Sequence, residues 1–206
     1  MLKNIEIWEV SMSVKNLPCS AAKLEKIARE FGTPFHIYSE KAIRENARAL
    51  HKAFAWAPAF REYYAVKALP NPYIVKIMKE EGCGADCSSL PELILSDKVG
   101  MKGEEICFTS NDTPIEEFAA AKELGAVLNL DDITHIDFID KQIGLPDLIS
   151  FRYNPGSLRE GGNKIIGHPE DAKYGLTRPQ LYEAIKMCRE RGIQRFGMHT
   201  MVVSNE

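Results

Sequence analysis

Tyr63-Tyr64-Ala65-Val66-Lys67-Ala68-Leu69-Pro70-Asn71-Pro72 is the stretch on which the reading of this 206-residue chain turns. Strand-forming and apolar residues lead directly into a lysine, and then into an Asn-Pro stop. A short apolar run bounded by turn signals reads as a buried strand. The C-terminal ends of such strands are where parallel sheets and barrels expose functional groups. A lysine there has its stem among apolar neighbours and its amine at a rim. Desolvation disfavours the ammonium form, which suits an amine that must add to a carbonyl. A lone strand-end lysine more often snorkels to solvent. The pattern of the chain after Lys67 weighs against that.

From Lys67 onward strand and helix signals alternate. Asn71 and Pro72 open a helix through Ile74, Ile77 and Met78 that ends at Gly82. Strands are expected at Ala85–Ser88, Ile106–Ser110, Ala126–Leu130, Leu148–Arg152 and Arg195–His199. Thr113-Pro114-Ile115-Glu116 reads as a capping box. Asp132 or Thr134, and then Thr177, open the later helices. Tyr64, Asp86, Phe108, Leu130 and Arg152 occupy similar places near these strands, each 22 residues after the last. A strand, a return helix and two short loops take about that length. A fixed period of alternating strand and helix means a parallel sheet with right-handed crossovers. There is no GxGxxG and no GxxxxGK[ST], so neither a dinucleotide nor a P-loop reading has support. Equal units favour a (β/α)8 barrel over a doubly wound sheet, with six of its eight strands in this chain.

Working back from Tyr63, the first residues are poorly patterned, with a candidate strand at Ile5, Trp8 and Val10. Ser20 caps a helix that Gly32 ends. Thr33–Tyr38 reads as a short strand, and Ser39 caps a second helix carrying Ile43, Ala47, Leu50 and Phe54 on one face. The organisation expected is an N-terminal segment with its helix at 1–32, and a barrel domain at 33–206. Between Arg152 and Lys173 the rhythm breaks into a polar, glycine-rich loop of the length that function usually explains.

Composition excludes several functions. A net charge of −3 offers no basic field for nucleic acid. No uncharged apolar run is long enough to span a bilayer, and the first residues lack the order of a signal peptide. Five scattered cysteines imply no disulfide framework, and so a reducing, cytoplasmic setting. Cys83 and Cys87 lack the short spacing of a zinc knuckle, so no metal is expected.

With these residues in hand the sequence resembles the alanine-racemase-like (fold type III) decarboxylases that use pyridoxal 5′-phosphate, and most nearly those acting on diaminopimelate. The resemblance rests on YYAVKALPNP at 63–72, GADCSSLPEL at 84–93, FTSNDTP at 108–114 and LNLDDI at 128–133, with FRYNPG at 151–156, KYGL at 173–176 and FGMH at 196–199. Seven motifs in order are far more specific than any one. The resemblance implies that Lys67 holds pyridoxal phosphate covalently and later helps move a proton. Asp86 is similar to the acidic residue near that lysine, Arg152 to the arginine on the cofactor's phenolic-oxygen side, and His199 to the histidine stacked on the pyridine ring. The family's glycine-serine turn after that histidine is absent here, which leaves Ser204 or Asn205 for the phosphate. The structural alternatives are a capping or otherwise structural role for Asp86, a rim ion pair for Arg152 and a core position for His199.

The reaction implied is meso-2,6-diaminopimelate to L-lysine and carbon dioxide, by a homodimer. Carboxynorspermidine, ornithine or arginine decarboxylation, or a non-catalytic pyridoxal phosphate carrier, are the alternatives in the same fold. The resemblance also implies two further barrel strands, a phosphate loop and a β-domain beyond Glu206.

Overall fold

Six short strands form one sheet in the order β1-β2-β3-β4-β5-β6, every neighbouring pair parallel. They are β1 (Tyr63–Ala65), β2 (Gly84–Cys87), β3 (Ile106–Thr109), β4 (Val127–Leu130), β5 (Leu148–Tyr153) and β6 (Arg195–Thr200). The computed structural model describes residues 19–155 and 174–201. The first candidate strand, the glycine-rich loop at 156–172 and Ser204 lie outside the described residues. Between strands run α3 (Pro72–Glu80), α4 (Leu90–Lys98), α5 (Ile115–Glu123), α6 (Thr134–Ile143) and α7 (Arg178–Glu190). Before them come α1 (Ala21–Phe31) and α2 (Glu40–Ala53). A doubly wound sheet would reverse its strand order part-way. This order never reverses, which is the winding of a (β/α)8 barrel.

The chain divides into two compact units, Met1–Ile43 and Arg44–Glu206. In the first, Ser20 caps α1 by accepting from the Lys23 amide (3.4 Å), and α1 buries no residue. Thr33–Tyr38 is not a strand. Its side chains do alternate, with Phe35 and Ile37 half-buried and His36 and Tyr38 exposed. Alternation is a local property, however, and a strand also needs a paired neighbour.

In the second unit the core lies between sheet and helices. Ala85 and Cys87 of β2, Phe108 of β3, Leu128 and Leu130 of β4 and Phe151 of β5 are buried against the helices. Each buried Leu or Phe contributes about 1.5–3 kcal/mol of transfer free energy. The intervening residues face the other way. They are largely polar: Asp86, Thr109, Asn129, Ser150, Arg152 and His199. Strands of parallel sheets are usually apolar on both faces. Here the inner face carries the chemistry.

The 22-residue period differs from the pairing register. Tyr63 pairs with Gly84, Ala85 with Ile106 and Leu128 with Ile149, 21 apart, and Cys107 with Val127, 20 apart. Each repeat therefore lands one or two residues farther along the neighbouring strand, and this is the stagger a barrel needs to close. A step of one residue also changes face. Asp86 and Arg152 point to the inner side, whereas the equally spaced Phe108 and Leu130 are buried core.

Asn71 caps α3, its Oδ1 accepting from the Tyr73 amide (2.9 Å). Asp132 Oδ1 accepts from the Thr134 amide and hydroxyl ahead of α6 (2.8 and 2.6 Å). A capping box is present at Thr177 and Gln180. The box expected at Thr113 is absent. The helix begins two residues later, Pro114 takes the cap position, and the Thr113 hydroxyl is buried without a partner. At the C-terminal ends, lysines reach across the layer. Lys79 of α3 donates to the carbonyls of Val99 and Gly100 after α4 (3.3 and 2.5 Å). Lys122 of α5 does the same to Ile143 and Gly144 at the end of α6 (2.5 and 2.9 Å). Cationic donors there complete unsatisfied carbonyls and oppose the helix dipole.

Candidate functional site

Lys67 follows β1 in a short 3-10 turn, Val66–Ala68. Val66 is fully buried and anchors that turn, and Tyr64 donates from its hydroxyl to the Leu69 carbonyl (3.3 Å). Lys67 is exposed. The burial expected of its stem belongs instead to its neighbour Asp86. Lys67, Asp86, Arg152 and His199 line one cavity of about 460 Å³, together with Ser88 and Tyr174. The cavity lies at the C-terminal ends of the strands, where parallel sheets place their sites. Its volume lies within the range of small-ligand pockets.

A second cavity of about 460 Å³ opens at the other end of the sheet, beside Glu104, Lys122 and Arg195. Among the described residues, three of its four charged side chains are engaged, Asp147 being the exception. Glu104 pairs with Arg195 (2.6 Å) and Lys122 with helix-end carbonyls. The C-terminal cavity is the one that gathers the residues singled out in the sequence.

Burial pushes the Asp86 carboxyl up to about 6, with the Lys67 ammonium working in the opposite direction and Glu92 adding to the rise. A carboxyl with a raised folded-state value binds protons more tightly folded than unfolded. Its contribution to stability is therefore present at low pH and is lost between about 3.8 and 6 as pH rises. Urea midpoints across that window are expected to fall less steeply with pH in Asp86→Asn than in the parent chain. Equal slopes would remove Asp86 as the cause.

Arg152 is held from several sides. Nη1 donates to Asp131 Oδ1 (3.0 Å) and Nη2 to the Met201 carbonyl (3.1 Å), while the guanidinium lies 5.1 Å from the centre of the Tyr174 ring. Tyr174 is brought there by backbone pairing. The Leu176 amide donates to the Arg152 carbonyl (2.7 Å), and the Gly175 amide to that of Asp131 (3.0 Å). Gly175 has φ +83°, and a Cβ there would stand 3.0 Å from the Arg152 carbonyl oxygen. Only glycine adopts that conformation without strain.

His199 stands beside Arg152 in the β5–β6 register. Burial, and then the Arg152 charge, lower its pKa, with Asp131 opposing them. Its Nδ1 lies 2.9 Å from Asn129 Nδ2, which also donates to Thr109 Oγ1 (3.1 Å). Asn129, Asp131 and Tyr174 do not stand out in the sequence as site residues, although LNLDDI and KYGL contain them. Nothing local separates them from turn residues. Their signal is the register, which brings residues from β4 and from the segment ahead of α7 beside Arg152 and His199. Asp86 makes no helix cap; the cap position of α4 belongs to Ser89. For Arg152 the ion pair with Asp131 is present, on the cavity wall.

The family of pyridoxal-dependent decarboxylases, pyridoxal binding domain, matches residues 40–205, and the chain belongs to it. Among individual proteins it is 38% identical over 183 residues to Protein TabA of Pseudomonas amygdali pv. tabaci, covering 89% of this chain and 42% of that one. It is 32% identical over 187 residues to the diaminopimelate decarboxylase of Thermoplasma acidophilum, covering 90% and 45%. The chain thus spans less than half the length of these relatives. A diaminopimelate decarboxylase from M. jannaschii in co-complex with L-lysine superposes with a TM-score of 0.71 at 27% identity, over 86% of this chain and 43% of that one. The lysine decarboxylase of Selenomonas ruminantium shares the fold, with a TM-score of 0.75 at 21% identity over 91% and 47%.

The cavity fits pyridoxal phosphate by its donor set. An exposed amine stands ready for the aldehyde, Arg152 offers a guanidinium for anionic oxygens, and His199 offers a ring. No helix among the described residues is long and apolar enough to cross a membrane.

Proposed function

We propose that the protein carrying this chain decarboxylates meso-2,6-diaminopimelate to L-lysine and carbon dioxide, with pyridoxal phosphate as cofactor. The observation that carries this reading is the convergence of Lys67, Asp86, Arg152 and His199 on one cavity from four different strand ends. The names of the relatives support the substrate. When bound, the cofactor supplies a ring that accepts the electron pair left as carbon dioxide departs. The chain's own residues then have distinct tasks. The Lys67 amine is the group that would hold the cofactor's aldehyde, and its Nζ would carry a proton to or from the substrate. Asp86 faces that amine and steers its charge. Arg152, oriented by Asp131 and Tyr174, would hold the phenolic-oxygen side. His199 would lie against the pyridine ring, and Ser204 would serve the phosphate.

The test offers the full-length protein, loaded with pyridoxal phosphate, each amino acid in turn: meso-2,6-diaminopimelate, L-lysine, L-ornithine, L-arginine and carboxynorspermidine. Carbon dioxide release is expected to be fastest from meso-2,6-diaminopimelate. A faster release from any of the others replaces the substrate, and none from any refutes the activity.

The same reading takes 1–32 as an N-terminal segment and 33–206 as barrel domain, in a cytoplasmic homodimer. Among the described residues β1 and β6 each have one strand neighbour, and such edges are pairing sites. Light scattering at micromolar concentration is expected to report twice the mass of one polypeptide. A monomer would count against the dimer.

A further inference from the structure

Asn129 is 2% exposed and sits on β4, between Thr109 of β3 and His199 of β6. Its Nδ2 is 3.1 Å from Thr109 Oγ1 and 2.9 Å from His199 Nδ1, and its Oδ1 is buried without a partner. An amide nitrogen carries two donors and no acceptor. A bond from it to Nδ1 therefore requires a lone pair on Nδ1, which places the imidazole proton on Nε2.

The reversed amide is the alternative. It would set Oδ1 against both neighbours and require a proton on His199 Nδ1. It would also leave two buried N–H groups unpaired in place of one oxygen, and unmade buried donors are costly. An imidazolium formed in that arrangement would stand beside Arg152, across the β5–β6 register. The charges facing the ring are Arg152 from β5 and Asp131 from the end of β4, and Asp131 already pairs with Arg152 at 3.0 Å. Both comparisons favour the amide donating to a neutral ring.

We propose that Asn129 is a positioning residue that holds the His199 imidazole in one plane and in its neutral, Nε2-protonated form. Thr109 aims the amide by taking its other N–H. The inference rests on the pyridoxal reading only for the purpose of the ring: a neutral imidazole lies against a cofactor without adding a second cation to Arg152.

The test is nitrogen NMR of the histidine rings in the full-length protein, with His199→Gln assigning the signal. The parent is expected to show an unprotonated Nδ1 and a protonated Nε2 at neutral pH. In Asn129→Asp a carboxylate accepts from Nδ1–H, so the His199 midpoint is expected to rise by roughly 1–3 pH units. Asn129→Leu is expected to give a mixture of tautomers. Should that variant fail to fold, Thr109→Val removes only the aiming acceptor and is expected to loosen the tautomer preference in the same direction. Protonated Nδ1 in the parent, or an unchanged tautomer and midpoint in Asn129→Asp, overturns the proposal. Cofactor absorbance is read on the same samples. A parent with the expected tautomer that takes up no pyridoxal phosphate upholds this inference while refuting the cofactor reading.

Discussion

Replacing Lys67 by alanine is expected to abolish the borohydride-fixable link between protein and pyridoxal phosphate, and to lower decarboxylation by at least about 10²–10⁴-fold, the range attached to a lost proton-transfer group. The linkage needs an amine, and among the described residues Lys67 is the lysine that lines the cavity. Lys67→Arg keeps a positive charge beside Asp86 but offers no amine that can add to an aldehyde. It is therefore expected to fail in the same way. The measurement is absorbance before and after reduction, followed by mass mapping of the modified peptide. A stoichiometric adduct on another lysine would displace Lys67 from its role. A Lys67→Arg protein with near-parent activity would show that charge alone suffices.

The largest expected effect on stability is at Arg152. Its side chain is 12% exposed and that of its partner Asp131 only 5%, so the pair is shielded from water. Removing one member of a buried pair leaves the other uncompensated, at a cost of about 3–5 kcal/mol. In a chain of this size that corresponds to a fall in Tm of roughly 6–20 °C. Arg152→Leu is the variant, and thermal unfolding followed by circular dichroism is the measurement. Asp131→Asn together with Arg152→Leu removes the stranded charge. The double variant is expected to recover much of the loss, as coupled neighbours do. Equal losses in single and double variants would show that Arg152 stabilises through its stem, its contact with Tyr174 or its bond to the Met201 carbonyl instead.

Much of the fold is legible in the sequence because each unit is short and self-contained. Local signals place five of the six strands within about one residue of their observed ends, since Gly82, Gly100, Gly125 and Gly192 close the helices that precede β2, β3, β4 and β6. The remaining strand, β1, is shorter than its apolar run suggests, because Val66 and Lys67 begin a helical turn. Where neighbours decide the outcome, legibility ends. Thr33–Tyr38 has the alternation of a strand and no partner. Thr113 has the wording of a cap, but the following proline takes the cap position. In the site, the residues with distinctive chemistry are the legible ones. Asn129 is not among them, because its role depends on Thr109 being 20 residues before it and His199 being 70 residues after it. The 22-residue repeat shows that Asp86, Phe108, Leu130 and Arg152 correspond. It does not show that two of them face the helices, because facing depends on the register.

The lysines at the helix ends tie the outer layer into couples, α3 with α4 and α5 with α6, by bonds that reach the last carbonyls of the second member. Such ties link the local opening of one helix to that of the next. Amide exchange at the C-terminal turn of α4 would then track the fraying of α3, and exchange at that of α6 would track α5, so the layer opens two helices at a time. Lys79→Met or Lys122→Met would uncouple one couple and leave the other intact, giving the outer layer two separately adjustable units of cooperativity around a single sheet.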